Sequence, residues 1–246
     1  MVEKYSKRLR ITSYDSDQSA RLKPASFLNL AQEAANLHAD YLGVGYDTIT
    51  ETRKAWVLAR THVIFHRLPA WREEVTLKSW HKRANGFQYY RDFEMLSEEG
   101  ERIVSATTTW LVINIDTRRM VRQNDFGEEG ILGIDEDVIE EPAPKVTMPR
   151  DAEAEAVGAH DVAFSDLDMN GHVNNVNYAV WAMDSVGLDV TLGRPLRELV
   201  INYNSEIKQG DRVELFRLHT SEGSVERYFI EGRVEGRVSF VAQLDF

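Results

Sequence analysis

Two stretches of this chain repeat one pattern of residues, which restricts the fold to two copies of one structural unit. Asp15-Ser-Asp17-Gln-Ser19-Ala-Arg21-Leu22 lies over Asp166-Leu-Asp168-Met-Asn170-Gly-His172-Val173, an offset of 151 residues from Asp17 to Asp168. Further on, His66-Arg-Leu68-Pro-Ala-Trp-Arg-Glu-Glu-Val75 lies over Asn204-Ser-Glu206-Ile-Lys-Gln-Gly-Asp-Arg-Val213, an offset of 138 from Val75 to Val213. The fall from 151 to 138 means that the second copy has a shorter connection between its helix and its next strand.

The local patterns between these anchors agree with a duplicate. In the first copy Leu9-Arg-Ile11 reads as a strand, and Phe27, Leu30, Ala31, Ala34, Leu37, His38 and Tyr41 fall on one helical face. Pro24 is placed to start that helix and Gly43 to stop it. β-Branched and aromatic runs predict strands over Trp56–His66, Val75–Trp80, Gln88–Leu96 and Ile103–Asp116. In the second copy His160–Phe164 is expected to be extended, with a helix from Asn175 to Gly187. Strands are expected over Leu199–Tyr203, Val213–His219, Arg227–Val234 and Ser239–Phe246. Ser97-Glu-Glu-Gly100 and Ser221-Glu-Gly223-Ser fill the same turn in each copy, where glycine supplies the backbone freedom. Each half is then a helix plus an antiparallel sheet, an α+β arrangement. The predicted domains are 1–137 and 157–246, joined by residues 138–156, where Pro142, Pro144, Pro149 and many acids suggest an exposed linker.

Composition removes several function classes. The chain has no cysteine, so disulfides, thiol nucleophiles and thiolate metal sites are excluded. A net charge of −11 argues against non-specific nucleic-acid binding. The clusters His81-Lys82-Arg83 and Arg118-Arg119 with Arg122 read as solvated strand ends and turns. No apolar run approaches the roughly 18 residues of a membrane span. The segment Met1-Val-Glu-Lys-Tyr-Ser-Lys-Arg lacks a signal-peptide core, so a cytoplasmic location is expected.

The alignment also separates chemistry from scaffold. Asn170, His172 and Glu206 stand where the first copy has Ser19, Arg21 and Leu68. One reactive set in a duplicated fold implies one site per chain, with the first half free to shape a binding pocket. The set sits just before a helix, whose N-terminal N–H groups and partial positive charge suit negative charge developing on a carbonyl oxygen. Bland readings stand beside these. On spacing alone His172 is a structural histidine, Glu206 a surface strand glutamate and Asp168 a turn or cap residue. Asn174 and Asn175 suit a helix start, and Tyr178 and Trp181 suit a core.

Ser165-Asp-Leu-Asp-Met-Asn-Gly-His-Val-Asn-Asn-Val-Asn-Tyr178, followed by Trp181 and by Tyr203-Asn-Ser-Glu206, closely resembles the signature of the acyl-acyl-carrier-protein thioesterases. The resemblance covers nearly the whole chain and implies a tandem (double) hotdog fold, each sheet wrapped around its long helix. It implies hydrolysis of fatty acyl-acyl-carrier-protein thioesters to free fatty acid, with acyl carrier protein as partner and no cofactor or metal. The family's catalytic residues fall on Asp168, Asn170, His172 and Glu206. Where many plant members have cysteine after the glutamate this chain has Ile207, so a thiol mechanism cannot operate. The absence of a long N-terminal extension fits a bacterial-type member.

Glu206 is the expected base or water-aligning group, because desolvation beside an apolar acyl pocket strengthens a carboxylate as a base. His172 would position the water or share that duty, Asn170 would donate to water or carbonyl, and Asp168 would orient Asn170 or His172. By analogy with the family, the first helix and the strand beginning at Trp56 would wall the acyl chain. An acyl-CoA thioesterase and a non-catalytic acyl-binding hotdog protein are the alternatives. The core Gly-His-Val-Asn-Asn order argues against a hydratase. Monomer and homodimer are both open.

Overall fold

The computed structural model describes residues 4–122 and 133–246. The first three residues of the segment read for a targeting signal therefore lie outside the described residues. The chain divides into two compact units, Met1–Ala143 and Pro144–Phe246.

The N-terminal unit runs β1 (Tyr5–Arg10), α1 (Pro24–Tyr41), α2 (Tyr46–Glu51), β2 (Lys54–Phe65), β3 (Glu74–Asn85), β4 (Gln88–Ser97) and β5 (Arg102–Asn114). Its strands lie in the order β1-β3-β4-β5-β2, with antiparallel neighbours. The C-terminal unit runs β6 (Glu155–Asp161), α3 (Asn175–Val186), α4 (Leu188–Gly193), β7 (Glu198–Tyr203), β8 (Arg212–Glu222), β9 (Val225–Val234) and β10 (Arg237–Asp245). Its order is β6-β8-β9-β10-β7 read from the other end, again antiparallel. The two orders are the same once β1 is matched to β6, β3 to β8, β4 to β9, β5 to β10 and β2 to β7. Each unit is thus a hotdog, and the chain a tandem of two. The offsets hold in three dimensions: α1 and α3 start 151 residues apart, β3 and β8 start 138 apart, and β2 and β7 end 138 apart.

The helices start and stop for local reasons. Pro24 opens α1, where its missing N–H costs nothing. At the far end the Gly43 N–H donates to Asp40 O and the Val44 N–H to Ala39 O, both at 3.0 Å, with Gly43 at φ +71°. This paired closure needs a left-handed residue, which glycine adopts without a Cβ clash. Asn174 caps α3, its side-chain oxygen accepting the Val176 N–H at 2.9 Å, an arrangement worth about 1 kcal/mol.

Helix α1 packs on β1 and β3, and α3 packs on β8, β9 and β10. The buried face of α1 is Phe27, Leu28, Ala31, Ala34, Ala35 and His38. Leu37 and Tyr41, expected on that face, are 40% and 70% exposed. The helix is rotated towards Leu28 and Ala35, whose small and branched side chains allow close approach to the sheet. Two short helices, α2 and α4, follow the long ones and had no periodic signal of their own. The extended run expected at His160–Phe164 ends at Asp161, and Phe164 opens a short 3-10 turn, 94% exposed.

The segment expected as a linker, residues 138–156, is mostly exposed, but Ala143, Val146 and Met148 within it are buried and its start is tied to β3 and β4. Lys82, buried rather than at a solvated strand end, places its Nζ 3.1 Å from Asp92 Oδ1 and 2.9 Å from Asp137 Oδ1, and donates to Ile139 O at 2.7 Å. The Trp80 indole donates to Glu136 O at 2.9 Å and the Val138 N–H to Asp92 Oδ2 at 2.7 Å. Val146 and Met148 are buried in the C-terminal unit with Val200, Leu218, Phe229 and Val241. The proline-rich segment avoids regular structure, yet its carbonyls and acids complete groups that β3 and β4 bury. Burial pushes the Asp92 carboxyl up, against the Thr107, Lys82 and Val138 contacts that pull it down. Removing the lysine would leave that acid without its cation. Lys82→Met is therefore expected to cost about 3–5 kcal/mol in denaturant unfolding, because a buried charge left unpaired costs more than an exposed pair contributes.

Candidate active site

The loop before α3 is a small closed frame. The Asp168 N–H donates to His172 O at 2.8 Å, and the Gly171 N–H returns to Asp168 O at 3.0 Å. The Asp168 carboxylate accepts through Oδ1 the N–H groups of Asn170 (2.8 Å) and His172 (3.3 Å). Its Oδ2 lies 3.4 Å from the Asn170 amide nitrogen. The Val173 N–H donates to Ile207 O at 2.8 Å, and His172 bridges Lys208, which brings the segment after β7 alongside. Asp166, buried below, accepts the Asn174 N–H at 2.8 Å and the Asn177 amide at 2.9 Å through its carbonyl.

Glu206 sits in the connection after β7, not on a strand. Its Oε2 is 3.5 Å from His172 Nε2 and 3.5 Å from Lys208 Nζ. The His172 and Glu206 side chains are 32% and 37% exposed. Its charged partners are a histidine and a lysine. The frame gathers the expected residues: Asp168 holds Asn170 and His172, and His172 meets Glu206. Two of the helix N–H groups expected to stabilise a carbonyl are already used. The Val176 N–H goes to the Asn174 side chain and the Asn177 N–H to Asn174 O. The Asn170 amide, on an exposed residue, is the donor that faces solvent in this set.

Sequence reasoning passed over two neighbours. Lys208 shares the Glu206 oxygen. His160 Nε2 lies 2.7 Å from Asp166 Oδ2, which also accepts the Ala163 N–H at 2.7 Å. The His160 ring packs on Trp181 with centroids 4.8 Å apart. The signal was in the offsets, which place Lys208 over Ala70 and His160 over Leu9, two more positions where only the second half is polar. Among the described residues no cluster of three or more metal-ligating side chains occurs.

The first half builds the same frame without the chemistry. The Asp17 N–H donates to Arg21 O at 2.7 Å, Ala20 to Asp17 O at 3.0 Å, and Leu22 to Pro69 O at 2.9 Å. Asp17 Oδ1 accepts the N–H groups of Ser19 (2.8 Å) and Arg21 (3.0 Å). Ala20, at φ +56°, takes the left-handed place that Gly171 holds at +75°.

Comparison with known proteins agrees with this layout. The acyl-ACP thioesterase N-terminal domain family matches residues 2–127, and the acyl-ACP thioesterase C-terminal domain family matches residues 150–246. The chain belongs to the acyl-ACP thioesterase family. It is 28% identical over 239 residues to oleoyl-acyl carrier protein thioesterase 1, chloroplastic, of Arabidopsis thaliana, covering 89% of this chain and 64% of that relative. It is 32% identical over 215 residues to the chloroplastic palmitoyl-acyl carrier protein thioesterase of Gossypium hirsutum, covering 82% of this chain and 52% of that one. This chain thus spans less than two thirds of either plant relative. In structure it is similar to an acyl-ACP thioesterase from Bacteroides thetaiotaomicron, with TM-score 0.87, 22% identity, and 98% and 96% of the two chains covered. It is also similar to the 12:0-ACP thioesterase from Umbellularia californica, with TM-score 0.85, 24% identity, and 98% and 96% covered. Those two likenesses establish the shared fold.

The matching frames make a sharp test of Asp168. Asn at this position keeps an oxygen for the two backbone N–H groups, and Ala does not. Asp168→Ala and Asp17→Ala should each cost on the order of 1 kcal/mol in unfolding. In steady-state thioester hydrolysis Asp168→Asn should stay within about tenfold of wild type while Asp168→Ala falls roughly 10²-fold, the loss that misplaced groups produce. Equal losses in the Asn and Ala proteins would show that the charge itself is used.

Proposed function

We propose that this chain hydrolyses fatty acyl thioesters of acyl carrier protein, releasing free fatty acid and the carrier thiol. The observation that carries the reading is the His172–Glu206 contact at 3.5 Å on a frame that also holds Asn170. The first half repeats that frame with Ser19, Arg21 and Leu68 in place of those three residues. Family membership supports the reaction type. The names of the relatives support the carrier, since they are acyl carrier protein thioesterases acting on oleoyl, palmitoyl and dodecanoyl groups. The N-terminal unit keeps the frame but not the polar set, and we assign it acyl-chain binding.

In the proposed reaction Glu206 takes a proton from a water held with the help of His172. The hydroxide equivalent adds to the thioester carbonyl carbon, and the Asn170 amide hydrogen-bonds the oxygen as it gains charge. Collapse of the adduct breaks the C–S bond. The proton held by Glu206 passes to the leaving thiolate, directly or through His172, so the protein ends as it began. Thiolate is a good leaving group, so water activation and oxyanion stabilisation carry most of the burden. Asp168 acts through the loop it closes. No cysteine is available as a nucleophile, and direct attack by water needs no covalent intermediate. Trapping an acyl group on Glu206 would instead establish an anhydride route.

The test is product formation on matched acyl carrier protein and acyl-CoA substrates, from dodecanoyl to oleoyl. Free fatty acid should appear faster from the carrier protein, and a preference for CoA would transfer the assignment to acyl-CoA hydrolysis. Glu206→Gln should fold normally and lose about 10²–10⁴ in kcat, the usual contribution of a positioned base. Near wild-type turnover in that variant would remove Glu206 from the mechanism.

A further inference from the structure

His160 joins three elements around the site loop. It stands on β6, where it faces Val213 of β8. Its Nε2 lies 2.7 Å from Asp166 Oδ2 in the turn that opens the loop, and its ring packs on Trp181 of α3 with centroids 4.8 Å apart. Trp181 is buried and packs in turn on Tyr178 and Phe240, so the imidazole rests on a fixed surface. An ionised carboxylate only accepts, so Nε2 is the donor in this bond. The same Asp166 oxygen accepts the Ala163 N–H at 2.7 Å.

The offset of 151 places Leu9, Thr12, Asp15 and Lys23 where the second half has His160, Ala163, Asp166 and Asn174. The strand registers agree, since Leu9 faces Val75 as His160 faces Val213. The Asp15 carbonyl accepts the Lys23 N–H at 2.9 Å, and the Asp166 carbonyl accepts the Asn174 N–H at 2.8 Å. The backbone clamp at the base of the loop is therefore common to both halves. Its side-chain support is not. Asp15 Oδ2 takes the Thr12 hydroxyl at 2.5 Å, a donor from within the loop itself. Residue 163 is an alanine with no hydroxyl. In the second half the donor comes instead from the strand, on a ring held against the helix.

Asp166 and Asn174 flank the loop, and Leu167 bridges Val173 just inside them. All that lies between is the Asp168–His172 frame. The Asp166 carbonyl also accepts the Asn177 amide at 2.9 Å, so this one residue ties the loop to α3 twice. We propose that His160 is a positioning residue for the site: by holding the Asp166 carboxylate from β6 it fixes the base of the loop, and with it the places of Asn170 and His172 beside Glu206. This inference rests on Asn170 and His172 having the roles given above. His160 acts through Asp166 and not on the substrate. A loop that only recognised a ligand could tolerate some play, whereas reacting groups lose rate steeply when displaced by about 1 Å.

The experiment reads kcat and KM on an acyl carrier protein substrate for three variants of the full chain. His160→Leu installs the residue of the first half, and kcat should fall by on the order of ten- to a hundredfold with KM unchanged, as expected when reacting groups are misplaced. Adding Ala163→Thr to that variant installs the donor of the first half as well, and should recover most of the lost kcat. His160→Gln keeps a side-chain N–H donor and should stay near the wild-type kcat, which keeps the test open if the leucine protein does not fold. An unaltered kcat in His160→Leu, a loss confined to KM, no recovery with Ala163→Thr, or a glutamine protein as impaired as the leucine protein overturns the proposal. Amide hydrogen exchange supplies a readout independent of turnover. In His160→Leu the Asn174 amide should exchange roughly tenfold faster, while the Lys23 amide, its counterpart in the unaltered half, keeps its rate. An unchanged Asn174 amide overturns the proposal even if the wild-type protein proves inactive on this substrate. A loosened Asn174 amide in a protein inactive from the start supports the clamp and counts against the proposed substrate alone.

Discussion

A carboxylate oxygen that accepts two backbone N–H groups closes the loop ahead of each long helix, and the rest of the structure is arranged around that closure. Asp17 does it in one half and Asp168 in the other, with donor distances that agree within a few tenths of an ångström. The closure fixes where the long helix begins and which residue points outward two places after the acid. It also presents a carbonyl and an N–H to the segment that follows β2 or β7, which aligns that segment beside the loop. Without it Asn170 and His172 would sit on a flexible turn, and Glu206 would have no fixed neighbour.

The duplicate separates what the fold requires from what the chemistry requires. Everything shared by the two halves is scaffold: the acid at 17 and 168, the left-handed residue at 20 and 171, and the edge-packed rings at 27 with 65 and 178 with 203. Confined to the second half are His160, Asn170, His172, Tyr178, Tyr203, Glu206 and Lys208, which stand where the first half has Leu9, Ser19, Arg21, Phe27, Phe65, Leu68 and Ala70. These additions cluster at one end of one unit, along the loop, the helix start and the segment after β7. The exposure of Asn170, His172 and Glu206 suits a substrate that arrives tethered to a carrier. The shared carboxylate, by the same reasoning, belongs with the scaffold even though it lies within the family signature.

The strand runs and the helix starts were legible because they depend on near neighbours. Pro24 opens a helix wherever it occurs before a periodic run, Gly43 closes one, and alternation marks strands. The frame was legible through the offsets, because equal loops demand equal residues at their constrained positions. The buried face of α1 was less so: Leu37 and Tyr41 look as apolar as Leu28, and only contact with β1 and β3 decides which side is covered. Residues 138–156 were read as an exposed linker because proline and acids usually stay in solvent, and only Ala143, Val146 and Met148 among them are buried. Lys82 and Asp92, distant in sequence, create a buried demand that Asp137, Val138 and Ile139 satisfy.

The sequence by itself determined the duplication, the antiparallel α+β units, the absence of thiol chemistry and the identity of the four signature residues. The first three follow from spacing and composition and the four residues from the family resemblance, none of which folding alters. Only the tertiary structure decided what those residues touch. It joined Glu206 to His172 and Lys208, committed the Val176 and Asn177 N–H groups to Asn174, and set the Tyr178 ring edge-on against Tyr203. The His172–Glu206 contact joins residues 34 apart, and its geometry is set by the packing of a helix on a sheet, which no local pattern encodes.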